Sequence, residues 1–222
     1  NYFKDRLARF YGTVVNLAIA NDWMHKNPFA GIRFQEKEVI REVLTKEEIE
    51  RMMCKEFALP RLEYVRDVFI FCVFTGMAYV DVNNLRQEHI VRDNNDDLWI
   101  RKARQKTNNM CNIPLLKIPQ LLMEKYKNHP LCTKTGALLP VPSNQKMNSY
   151  LKEIADFCGI QKNLTTHTAR HTFATVVALA NGVSMENIAK MLGHSDIRMT
   201  QRYAKVMDSS IMRDMENVDK LF

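Results

Sequence analysis

Residues 68–74 read Val-Phe-Ile-Phe-Cys-Val-Phe, an unbroken apolar run. A segment that is apolar all round has no face to give to water, so the rest of the chain must be built around it. The nearly uncharged stretch covers only residues 68–80 and is interrupted by Thr75 and Gly76, whereas a bilayer span needs about 20 apolar residues. The run is therefore read as the buried central helix of a globular domain, opened by Pro60 in its first turn and closed by Gly76. Just upstream, Thr45-Lys46-Glu47-Glu48 has the T-x-x-E form of a capping box and opens a short helix through Met53.

The pattern after Gly76 changes period. A short helix runs to Leu85, and residues 89–115 then alternate between polar turns at 93–97 and 107–109, which predicts a small three-stranded antiparallel sheet. Later segments read as helices over 119–126, 144–157, 168–180, 185–192, 196–204 and 209–221, several of them stopped by Gly159, Gly182 or Gly193. The fold class is mainly α with one small sheet. At the other end, Leu7, Phe10, Tyr11, Val14, Val15 and Ala18 form a helical stripe that must be covered by something. Asn27-Pro28 ends it, and a charged stretch follows. The expected organisation is a partial helical domain over 1–34, a linker over 35–43 and a main domain over 44–222, in a chain truncated at its N-terminus.

Thirty-two Lys and Arg against 25 Asp and Glu give a net charge of +7. Residues 98–134 concentrate it: Arg101, Lys102, Arg104, Lys106, Lys117, Lys125, Lys127 and Lys134 stand against one acid, Glu124. Such a distribution suits either a solvated basic face or a phosphate-binding surface, with Arg101, Lys102 and Arg104 the candidate DNA contacts. The cysteines at 54, 72, 111, 132 and 158 form an odd set without a C-x-x-C pair, so neither a disulfide framework nor a zinc knuckle is suggested, and a reducing cytoplasm is expected.

The most informative stretch is 165–203. On a helix, His167, Arg170 and His171 stand at i, i+3 and i+4 and share one face, where they can converge on a single ligand. Zinc is a poor candidate for that ligand, because the intervening Thr-Ala-Arg lacks the Glu of a metalloprotease helix and sets a cation beside the metal. Residues 184–203, with Gly193 between two helical segments, also have the rhythm of a helix-turn-helix, which would make the chain a DNA-binding regulator without chemistry. A regulator has no use for a His-x-x-Arg cluster upstream.

Taken together, these motifs resemble the tyrosine recombinase (phage integrase) family, most closely the integrases of Bacteroides-type mobile elements. Residues 165–175 resemble the family's His-x-x-Arg box. Leu192-Gly193-His194 with Thr200-Gln-Arg-Tyr203 resembles its second box, and residues 75–82 with Leu85-Arg86 its first. Gln105-Lys106-Thr107 before Ile113-Pro114 resembles the hairpin that bears a catalytic lysine, and residues 18–28 the end of the core-binding domain.

The resemblance implies a catalytic domain that cuts and rejoins double-stranded DNA through a 3′-phosphotyrosine, without metal or cofactor. Tyr203 would be the nucleophile and His167 its proton acceptor. Arg170 and His194 would donate to the phosphate oxygens, and Lys106, with Lys102 as its rival, would protonate the leaving oxygen. It also implies a tetramer on DNA, accessory DNA-bending proteins, no membrane, and a tail helix with Ile211, Met215, Val218 and Phe222 on one face that docks on a neighbouring protomer. One departure stands out: Ala78 occupies the position of the family's first-box arginine. Arg66, at the start of the buried helix, is the expected replacement. Type IB topoisomerases share this chemistry and form the alternative enzyme class.

Overall fold

The computed structural model describes residues 2–29 and 42–203. The chain divides into two compact units, Asn1–Ile40 and Arg41–Phe222. Helix α1 (Tyr2–Ala20) makes up most of what is described of the first. Val15 of its expected stripe is buried, whereas Phe10, Tyr11, Val14 and the neighbouring Leu17 are exposed.

The second unit is mostly helical around one small sheet. Helix α2 (Lys46–Cys54) starts at the anticipated capping box: Thr45 Oγ1 accepts from the Glu48 amide at 3.2 Å, and Glu48 Oε2 accepts from the Thr45 amide at 2.7 Å. Helix α3 (Pro60–Thr75) has Pro60 in its first turn and is buried along almost its whole length from Val65, including every residue from Val68 to Val73. It is the axle of the domain, packed on α5 (Lys117–Tyr126), α7 (Asn144–Phe157) and α8 (Thr166–Thr172). The short α4 (Tyr79–Asn83) leads into the sheet. Helix α6 (Pro130–Thr135), flanked by His129 as cap and Gly136 as stop, was not anticipated; its six residues are too few to show a period.

The sheet is an antiparallel meander of β1 (Ile90–Arg92), β2 (Leu98–Ala103) and β3 (Met110–Pro114). Ile100 pairs with both Ile90 and Ile113, and Lys102 pairs with Cys111. Side chains alternate along a strand, so Leu98, Ile100 and Lys102 share the inner face and Arg101 points out. Arg101 is exposed, while Ile100, Cys111 and Ile113 are buried.

Beyond Thr172, α8 widens into a π-helical turn (Phe173–Ala178) and a 3₁₀ turn (Leu179–Asn181) rather than running on as the α-helix expected to residue 180. Helices α9 (Met185–Leu192) and α10 (Arg198–Gln201) follow, the second shorter than expected. The expected tail helix over 209–221 lies outside the described residues. Among the described residues no helix is long and apolar enough to cross a membrane.

Gly76 sets the exit of α3. Its φ of +67° is left-handed, and a Cβ there would lie 2.4 Å from Phe173 Cδ1 and 2.7 Å from Leu192 Cδ2. Backbone strain and overpacking therefore add, and Gly76→Ala is expected to lower unfolding free energy by about 2–5 kcal/mol in denaturant titration. A change of a few tenths would show that this exit is not tightly packed.

Candidate active site

Three loops meet beneath the end of α3. Arg170, on the inner face of α8, is buried to 5% exposure. Its Nη1 donates to Gly76 O at 2.7 Å and its Nη2 to Leu192 O at 2.5 Å, so one guanidinium ties the C-terminus of α3 to the C-terminus of α9. Helix C-termini present unsatisfied carbonyls, which is why a cation belongs there. Burial, followed by repulsion from Arg104, pulls the Arg170 pKa below its usual value.

His194 follows the left-handed Gly193 that caps α9. Its Nε2 lies 3.3 Å from Arg170 Nη2 and its Nδ1 lies 2.8 Å from Thr200 Oγ1. Arginine can only donate, so Nε2 is the acceptor and Nδ1–H donates to the fully buried Thr200. Burial first, then the charges of Arg170 and Arg104, depresses the His194 pKa to about 4, and the ring is neutral at neutral pH.

Tyr203 closes the cluster. Its ring stacks on His194 at 6.4 Å between centroids and 10° between planes, and lies 5.2 Å from the His171 ring. His167 stands edge-on to His171 at 4.8 Å and is itself exposed. Of the residues singled out in the sequence, Arg170, His194 and Tyr203 are thus gathered, with His167 one ring further out. His171, expected to support the site rather than touch substrate, also packs its ring against Tyr203. Tyr203 is only 8% exposed, buried with Phe173, Ala174, Ala178, Ile188 and Leu192.

The cationic candidates separate. Lys106 sits on the exposed turn of the β2–β3 hairpin. Lys102, half-buried on the inner face, lines a small cleft with Arg170, Asp81 and Cys111, and its Nζ is 3.2 Å from His89 Nε2. Arg66 does not join the site. Its Nη1 donates to the carbonyls of Met52, Met53 and Lys55 at 3.0, 3.0 and 2.8 Å, and its Nε to Asp67, so the guanidinium caps α2 instead.

Arg104, a candidate DNA contact in the sequence, turns inward. It prolongs the inner row of β2 by one more alternation, and its side chain is 12% exposed. The 98, 100, 102, 104 period was a signal available in the sequence. Asp81 and Thr200 had none, being ordinary polar residues until the fold brings them to the site.

The sequence profile of the phage integrase family matches residues 42–210. Over 95 residues the chain is 40% identical to the tyrosine recombinase XerD of Staphylococcus saprophyticus, a match covering 43% of this chain and 31% of that protein. The chain thus spans about a third of the length of the curated relatives it matches. In fold it is similar to the XerA recombinase, with a TM-score of 0.60 at 24% identity over 82% of this chain and 66% of that one. It is also similar to the Tn1549 transposon integrase in complex with circular-intermediate DNA, with a TM-score of 0.64 at 18% identity over 95% and 76%.

The depressed His194 pKa makes a stability prediction. A histidine that titrates near 6.5 unfolded but about 4 folded leaves the unfolded chain binding more protons between those values. Its contribution is complete above pH ~6.5 and is lost as pH falls towards ~4. Denaturant titrations across that window should show a shallower acid decline for His194→Asn than for the parent chain. Parallel declines would contradict the assignment.

Proposed function

The chain belongs to the phage integrase family, and from that premise we propose that it is a tyrosine-type site-specific DNA recombinase. The reading rests on one observation: Tyr203 stacks on His194, whose Nε2 shares the guanidinium of Arg170, although these residues come from separate sequence boxes.

In the proposed reaction the Tyr203 phenolic oxygen attacks a backbone phosphorus and the P–O5′ bond breaks. A 3′-phosphotyrosine and a free 5′-hydroxyl result, and a second DNA end reverses the step. An ordinary phenol has a pKa of about 10, so its proton needs an acceptor. His167 is that acceptor in this reading, with His171 between it and the ring. Arg170 and His194 donate to the non-bridging oxygens, where charge grows in the transition state. Lys106 protonates the departing 5′-oxygen from its exposed hairpin.

The resting arrangement requires a rearrangement on binding. Arg170 Nη2 already bonds Leu192 O and faces His194, and Tyr203 is buried, so a phosphate must compete for the guanidinium and draw the phenol out. Neutral His194 must also present a proton at Nε2, which protonation of the ring beside the anion supplies.

The wider setting follows the same reading. Residues 1–34 belong to a core-binding domain, 35–43 to its linker and 44–222 to the catalytic domain. The partner is double-stranded DNA, gripped in part by the exposed Arg101, with assembly as a tetramer aided by DNA-bending proteins. The cellular role in this reading is cytoplasmic integration and excision of a mobile element, of the Bacteroides type whose integrases the sequence motifs together resemble.

The test is direct. The chain is incubated with a pool of nicked duplexes of randomised sequence, in which cleavage beside the nick releases a short fragment and traps the covalent state. A denaturation-resistant protein–DNA adduct is expected from the parent chain and none from Tyr203→Phe. DNA binding without any adduct would favour a non-catalytic regulator and overturn the proposal.

A further inference from the structure

We propose that Arg104 is a catalytic residue that supplies the second phosphate-binding guanidinium of this site, the one that Ala78 leaves missing from the first box. The assignment rests on the recombinase reading and deepens it.

Placement is the first argument. Arg104 N–H donates to Asn109 O at 2.9 Å and its carbonyl accepts from the Asn108 amide at 2.9 Å, so the residue is fixed at the base of the β2–β3 hairpin. Its side chain crosses Gly193. A Cβ on that glycine would lie 2.6 Å from Arg104 Cδ, so the absence of a side chain at 193 is what admits the arginine between the hairpin and the turn carrying His194. Asp81 orients the hairpin by accepting from the Gln105 amide at 2.9 Å.

The second argument is unspent capacity. Arg104 Nε is buried and has no hydrogen-bond partner among the described residues, and the Asp81 carboxylate stands 3.9 Å from it, beyond hydrogen-bond length. The Nη1 contact to Gly193 O is long at 3.5 Å. A buried donor left unpaired carries a desolvation cost unless something arrives to accept from it. Arg66 is the opposite case, with its Nη1 committed to carbonyls at the end of α2 and its Nε to Asp67.

Charge is the third. Arg104 is near enough to Arg170 and His194 to disfavour the protonated form of both. Lys102 shares the cleft with Arg170, and Asp81 is the carboxylate there. The positive excess in this small cleft suits a phosphodiester, whose single negative charge doubles as the pentacoordinate state forms.

Duplexes recovered as adducts by the parent chain provide the probe, prepared with either a normal phosphodiester or a charge-neutral methylphosphonate at the cleaved position. On the phosphodiester, Arg104→Ala should slow adduct formation about 10²- to 10³-fold, as loss of one transition-state donor does elsewhere, and Arg104→Lys should lose less. On the methylphosphonate, which needs less charge stabilisation, Arg104→Ala should recover most of the parent rate. An unchanged rate on the phosphodiester would overturn the assignment. So would an equal loss on both linkages, which is what a merely structural residue gives. In either case parent adducts would leave the recombinase reading standing, whereas no adduct from the parent chain would remove that reading and this one with it.

Discussion

The second unit depends on how one desolvated cation is paid for. Among the described residues no carboxylate lies at hydrogen-bond distance from Arg170; it is held by the carbonyls of Gly76 and Leu192, at the ends of two helices. Those carbonyls are unsatisfied by the helices themselves, so the guanidinium and the helix ends solve one another's problem. The same contacts fix the turn after α3 against the turn after α9. Gly76 and Gly193, both left-handed, are the points where these turns come close enough for the arrangement to exist.

Electrostatics follow from that choice. Burial first, and then the positive field of Arg104 and of an Arg170 held by carbonyl dipoles rather than a full counter-charge, keep His194 neutral. Asp81, on α4, offsets only part of it. Positive charge in excess at buried donors favours an anion over a cation, and a buried donor is worth more than one in water.

Much of the fold was legible because the relevant signals are local. Thr45 with Glu48, Pro60 with Gly76, and the apolar run from residue 68 each state an element's boundary or burial in adjacent side chains. The alternation over 89–115 gave the sheet. The spacing of His167, Arg170 and His171 showed a shared face, but not that Tyr203 packs on His171, because that contact depends on how α10 meets α8. Arg66 illustrates the limit. Sequence placed it near the start of the buried helix, yet its partners are the carbonyls of Met52, Met53 and Lys55, a contact that exists only once α2 folds back on α3. The π-helical turn after Thr172 was equally hidden, since residues 173–178 have no Pro or Gly to announce a change of register.

A structure of the chain on a nicked duplex with vanadate standing in for the phosphorus would test the central claim most directly. The account predicts vanadium bonded to the Tyr203 phenolic oxygen, with the Arg170 guanidinium donating to the equatorial oxygens from its seat between the turns after α3 and α9. Vanadate bound elsewhere, with Tyr203 still stacked between His171 and His194, would contradict it.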